Sequence, residues 1–167
     1  MVFETERLYV RQYTDADFEL FFRFSSDEEL MRYIRPVQTR EECLVFFNQN
    51  NGEYKDHPQY GRWALISKAD DTTVGSFAVI PLKETDDIQV GYVLLQEHWG
   101  KGYIDETLKG AIRYCFERLG LDSIVGVTEV PNTASQKVLL KNGFVYERSY
   151  PEKEITLNLY RLNKATV

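Results

Sequence analysis

The chain has 167 residues, enough for one domain whose core hides roughly 70% of the unfolded surface without a disulfide or metal staple. Hydrophobic residues make 43% and charged residues 28%, which excludes a disordered chain. Twenty basic against 26 acidic side chains give a net charge of −6, and that argues against nucleic-acid binding, which needs a basic face.

The charge is uneven. Positions 1–100 hold 10 basic and 18 acidic residues, and positions 101–167 hold 10 and 8. The first part suits a cationic ligand and the second tolerates an anionic one. The two cysteines, Cys43 and Cys115, form no C-x-x-C pair and sit among apolar residues. They read as buried free thiols, which fits a reducing compartment. No apolar run approaches the roughly 18 residues of a membrane helix. Met1–Arg7 lacks the basic-then-apolar order of a secretory leader, so the expected location is cytoplasmic, with no membrane partner.

In chain order, Leu8–Arg11 reads as a short strand. Thr14, followed by Asp15 and Asp17, is an N-cap with acidic first-turn residues. Phe18, Phe21, Phe22, Leu30, Met31 and Ile34 supply apolar stripes for one or two helices, stopped by Pro36. Thr39 caps the next helix, which buries Cys43, Leu44, Phe46 and Phe47 and ends at Asn51-Gly52. The period then falls from about four to two. Trp63–Ile66, Val74–Ile80 and Ile88–Leu95 predict an antiparallel meander with polar turns between its strands.

The clearest helix follows. Ile104, Leu108, Ala111, Ile112, Cys115, Phe116 and Leu119 share one face of a 3.6-residue repeat, and Gly120 is placed to close it. Ser123–Thr128 is a buried strand, parallel to Ile88–Leu95 through a right-handed crossover. Thr133–Asn142 is a helix closed by Gly143, and Phe144–Glu147 with Ile155–Tyr160 form a last strand pair.

The loop Gln96–Tyr103 joins a strand to a helix start and carries Gly100-Lys101-Gly102. Its backbone N–H groups and the positive end of the helix dipole suit a phosphate, although a tight turn needs glycine without any ligand. Two known phosphate motifs fail here. Lys101 is followed by Gly102 rather than Ser or Thr, and Asp105 stands where a dinucleotide fingerprint has its third glycine.

Gly-x-Gly-Tyr, a long helix, a buried strand, then Asn132-Thr133-Ala134-Ser135 and Asn142-Gly143-Phe144 together resemble the Gcn5-related N-acetyltransferases (GNAT). The opening Glu4–Arg11 resembles the branch containing ribosomal-protein N-terminal acetyltransferases. The resemblance covers nearly the whole chain. It implies one N-acetyltransferase domain over 1–167, of α+β class. The sheet would be mixed and mostly antiparallel, with about six to seven strands and about four flanking helices.

The same resemblance implies acetyl-CoA as co-substrate and no metal. The acceptor would be a primary amine, on a polypeptide N-terminus or a small cationic molecule, and a homodimer is compatible with it. By position, the backbone of Val93, Leu94 and Leu95 pairs with the pantetheine arm. His98, Gly100, Lys101, Gly102, Tyr103 and Ile104 hold the pyrophosphate, Asn132 the pantetheine amide region, and Lys137 the adenosine phosphate. Ser135 is the candidate general acid, set against a plain role in bonding the backbone near the cap. Glu129, just past the buried strand, is the candidate base, set against a solvated loop carboxylate. Tyr33, Trp63, Phe77 and Tyr92 are core or cleft aromatics, and His57 lies in a loop with no partner spacing. The competing function is an acyl-CoA-binding scaffold of the same fold without turnover.

Overall fold

The computed structural model describes residues 1–167. Its strands are β1 (Phe3–Glu4), β2 (Leu8–Arg11), β3 (Gly61–Ser67), β4 (Thr73–Pro81), β5 (Ile88–Leu94), β6 (Ser123–Glu129), β7 (Val145–Glu152) and β8 (Ile155–Asn163). Its α-helices are α1 (Phe18–Ser25), α2 (Glu28–Met31), α3 (Arg40–Glu53), α4 (Tyr103–Arg113) and α5 (Thr133–Lys141). The strands form one sheet in the order β1-β2-β3-β4-β5-β6-β8-β7, antiparallel except between β5 and β6. The α+β class and mostly antiparallel sheet match expectation, but the counts are eight strands and five helices. The additions are the two-residue β1 and the one-turn α2, both too short to show a period.

Strand β3 explains the layering. Trp63 and Leu65 pack with Leu108, Ala111 and Ile112 of α4 and Leu139 of α5. Ala64 and Ile66 turn the other way, onto Phe21 of α1 and Cys43 and Phe47 of α3. Alternation along the strand thus supplies both cores, which is why β3 reads as nearly continuous apolar sequence. Both cysteines are buried and unpaired, and burial pushes the Cys115 thiol up to about 12. No helix is long and apolar enough to cross a membrane.

Helix α4 ends earlier than its apolar stripe suggests. Tyr114–Arg118 is a π-helical turn, closed by Leu119 N–H donating to the Tyr114 carbonyl. Cys115 and Phe116 stay buried through it, so the stripe survives the change of winding. Gly120 then takes the left-handed conformation, with φ +69°.

Candidate active site

The site begins where two neighbouring strands part. β5 and β6 pair only at Gln89–Val125 and Val90–Gly126, whereas β4 follows β5 as far as Leu94. Beyond Val90 one edge of β5 therefore faces a gap. Leu95 N–H donates to the Val74 carbonyl on the β4 side at 3.0 Å, so by alternation the Val93 groups also face β4. Tyr92 and Leu94 face the gap. The Leu94 carbonyl accepts the Trp99 indole N–H at 3.0 Å, which leaves the Leu94 N–H as the donor directed into the opening. The Leu95 carbonyl accepts from His98 N–H.

Past a 3₁₀ turn at Gln96–His98, the chain reverses into α4 through Gly100 (φ +72°) and Gly102 (φ +75°). Non-glycine residues rarely adopt these angles. A Cβ on Gly100 would meet nothing, and one on Gly102 only an Arg7 guanidinium nitrogen at 3.7 Å. The glycines therefore serve conformation and leave the loop's outer side open. Gly102 is the N-cap of α4 and has no side chain to offer, so the first N–H groups of the helix have no side-chain cap.

Two first-turn carboxylates lie close to that end, and both are engaged. Glu106 accepts from Thr5 Oγ1, Arg7 N–H and Arg7 Nε. Burial alone would raise Asp105, but Lys109, Asn142 and Lys141 outweigh it and hold this carboxyl down at about 2. Arg7 also donates to the Lys101 carbonyl and stacks over Tyr103 at 4.7 Å, tying the loop to the N-terminal strands. Burial and the neighbouring Lys101 charge hold His98 below the usual imidazole range, so it is neutral at pH 7.

Across the gap, α5 starts at Thr133. Asn132 is its N-cap, and its side-chain oxygen accepts Ser135 N–H at 3.2 Å. Gly126 lets the helix approach, since a Cβ there would lie 2.6 Å from a Leu139 methyl. Ser135 Oγ sits 2.9 Å from Tyr92 Oη. Burial pushes the Tyr92 phenol up to about 12, against the opposing pull of the Ser135 bond. Tyr92 is therefore protonated at neutral pH, and its O–H can donate to Ser135, freeing the serine hydrogen for the cleft. Glu129, half-buried at the end of β6, lines the same cleft. Lys137 is exposed one turn along α5.

The cleft of about 540 Å³ runs from the gap across the face that carries α1–α3. Trp63 and Phe77 are fully buried core, while Tyr33 and Tyr92 border the opening. The regional charge arithmetic fails inside it. The first hundred residues contribute Arg35, Arg62 and Lys83 to its walls and no carboxylate, whereas both lining carboxylates, Glu129 and Glu152, come from the later part. The excess acid of residues 1–100 lies outside the cleft, partly in ion pairs such as Arg11–Asp17 and Arg40–Glu19.

Sequence reasoning missed Arg7 and Trp99 as loop supports, Tyr92 as the partner of Ser135, and Arg35 and Arg62 as cleft cations. Only Tyr92 carried a signal: it lies two residues before Leu94 and so on the same strand edge.

A family model described as an acetyltransferase (GNAT) domain matches residues 7–145. The uncharacterized N-acetyltransferase YoaA of Bacillus subtilis is 29% identical over 168 residues, covering 99% of this chain and 90% of the relative. The ribosomal-protein-serine acetyltransferase of Escherichia coli is 33% identical over 103 residues, covering 60% of this chain and 56% of the relative. A GNAT-family acetyltransferase from Bacillus anthracis superposes with a TM-score of 0.85 at 24% identity, covering 98% of each chain.

Proposed function

The chain belongs to the acetyltransferase (GNAT) domain family and is an acetyl-CoA-dependent acetyltransferase, and on that premise we propose how its residues divide the work. We infer a single N-acetyltransferase domain over residues 1–167, acting on a primary amine of a polypeptide N-terminus or small molecule. Two buried free thiols support a reducing, cytoplasmic setting.

Acetyl-CoA supplies a thioester carbonyl, and the chain presents one free backbone donor where that carbonyl would lie. The Leu94 N–H faces the gap and stabilises the oxyanion as the amine adds. Tyr92 and Leu94 offer the strand edge along which an extended pantetheine arm pairs as an added strand. The uncapped N-terminus of α4, from Gly102 to Ile104, takes the pyrophosphate, with Gly100 and Lys101 completing the turn around it. Burial and the Lys101 charge lower His98, which weakens its pull on a phosphate. Lys137 is exposed on the adenosine side, and Asn132 supports the amide region while it caps α5.

The amine arrives as an ammonium and must lose a proton before it attacks, since a lysine-like amine has a pKa of about 10.4. Glu129 is the carboxylate positioned to take that proton, directly or through water. Attack gives a tetrahedral intermediate, and the carbon–sulfur bond then breaks. Ser135, held by the Tyr92 hydroxyl, donates to the departing sulfur and is reprotonated, through water, by the second proton that the attacking nitrogen sheds, and Tyr92 acts as a positioning residue.

The observation that carries this reading is the gap between β5 and β6, with a free backbone N–H on one side and the Ser135–Tyr92 hydroxyl pair on the other. Thiol release on mixing the protein with acetyl-CoA and a panel of amines tests it. Amine-dependent release is expected. Binding of acetyl-CoA without release across a broad panel would make the chain a non-catalytic acyl-CoA-binding scaffold.

A further inference from the structure

Four arginines are half-buried: Arg11, Arg35, Arg62 and Arg161. Arg11 and Arg161 each grip a carboxylate with two nitrogens, Asp17 and Asp87 respectively. Arg35 and Arg62 form no ion pair, although a buried guanidinium ordinarily has one. Both are pressed onto the same ring, with Arg35 Cζ 4.4 Å and Arg62 Cζ 5.0 Å from the centre of Phe46. Arg35 donates one bond, to Ser25 Oγ at 3.1 Å, and its Nε is buried with no partner. Burial, and then the Arg62 charge, push Arg35 down to about 10, and burial also lowers Arg62. Two like charges are thus held together at the wall of an open cleft with donor capacity unused.

The sheet connects this pair to the reaction centre. Arg62 is in register with Ala78 on β4, and Ala78 with Gly91 on β5, one residue past the last β5–β6 pairing. Ala78 and Gly91 are small, so the floor between Arg62 and the gap carries no bulky side chain. Two strand spacings separate the ends of that row, about 10 Å from backbone to backbone. Glu129 and Glu152 stand among the residues lining the cleft, and no carboxylate from the first hundred residues does.

Resting on the acetyltransferase reading above, we propose that Arg35 and Arg62 form a carboxylate-binding subsite of the acceptor cleft. The acceptor class is then a small amino acid, with its amine at the gap and its carboxylate between the two guanidiniums. The carboxylate would meet the unbonded Nη1 of Arg35 and the Arg62 guanidinium, and relieve their repulsion. The ammonium end would meet Glu129 on the way to deprotonation. A diamine of the same length would place its second cation against Arg35 and Arg62, and is excluded on that ground.

The test uses the intact protein and matched pairs: L-glutamate, L-serine and 4-aminobutyrate, against the corresponding amides and 1,4-diaminobutane. For at least one pair, kcat/KM for the carboxylate should exceed that for its uncharged or cationic counterpart by about tenfold or more. Arg35→Gln should bring that pair within about twofold, and Arg35→Lys should restore part of the preference. Calorimetric titration of the N-acetylated acids and their amides into the CoA complex gives a readout that needs no turnover. Preferential binding of the acids without thiol release would overturn the catalytic reading and keep this one. Turnover or binding that ignores the carboxylate, or favours the diamine, would overturn the subsite and leave the acetyltransferase reading intact. Comparing substrates on the wild-type protein decides the matter even where a variant fails to fold.

Discussion

Two places in the molecule are receptive to an anion, and they are built by opposite means. At the start of α4 the charge is fractional and belongs to the backbone: uncapped N–H groups, two glycines with positive φ, and neighbouring carboxylates already engaged. At Phe46 the charge is whole and belongs to two side chains that lack carboxylate partners. The backbone of the first device lies within the single stretch Gly100–Glu106. The second needs α3, β3 and the chain after α2 to converge. A backbone cradle accepts a phosphate whatever it is attached to, which suits a common donor. Paired guanidiniums discriminate by charge and geometry, which suits the selection of an acceptor.

The largest loss of activity is expected from perturbing the residues that lie between the two regions. Ser135→Ala should lower kcat by about a hundredfold, the lower end for a general acid, with the affinity for acetyl-CoA unchanged. Steady-state kinetics at saturating acceptor checks this, and a wild-type kcat with chemistry limiting would return Ser135 to its backbone role. Next in size, Gly102→Val forces a β-branched residue to φ +75° and crowds the cradle. Acetyl-CoA should bind at least tenfold more weakly by calorimetry, about 1.4 kcal/mol. Unchanged affinity in a folded variant would remove the anion role from the α4 end.

Smaller effects sharpen the contrast. Tyr92→Phe removes one hydrogen bond to Ser135 and should cost kcat about fivefold, close to 1 kcal/mol, with KM for acetyl-CoA unaffected. Equal losses in kcat and acetyl-CoA affinity would show that Tyr92 shapes the donor side instead. Asp105→Asn is the mildest. The folded-state pKa of Asp105 is about 2, below its ordinary value of about 3.9, so its contribution is present above pH 4 and lost as pH falls through 2. Screening limits it to under about 1 kcal/mol. Thermal melts should show wild type above the variant at pH 5 and the two converging near pH 2. A gap that persists at pH 2 would locate the effect in packing.

How far the sequence was legible follows the same division. The α4 stripe from Ile104 to Leu119 placed the helix, yet its period could not reveal the π turn at Tyr114–Arg118, because the same residues stay buried under either winding. The meander of β3, β4 and β5 was readable from alternation, while β1, with two residues, carried none. The Gly100–Gly102 loop was readable because glycine at a strand-to-helix turn is a local demand. Arg35 and Arg62 gave no signal, since each is an ordinary cation until the fold brings both to Phe46. Net charge over a hundred residues misled for a related reason: it sums side chains that face solvent with those that face the cleft.

Donor and chain meet at the edge of β5 that faces the gap, and the amide hydrogen of Leu94 reports on it directly. Its exchange with solvent should slow at least tenfold when a non-reactive acetyl-CoA analogue that keeps the acyl carbonyl saturates the protein, because that carbonyl accepts the Leu94 N–H. Leu95, already bonded to Val74, should change little. Unchanged exchange at Leu94 with the analogue bound would contradict the placement of the thioester between Leu94 and Ser135.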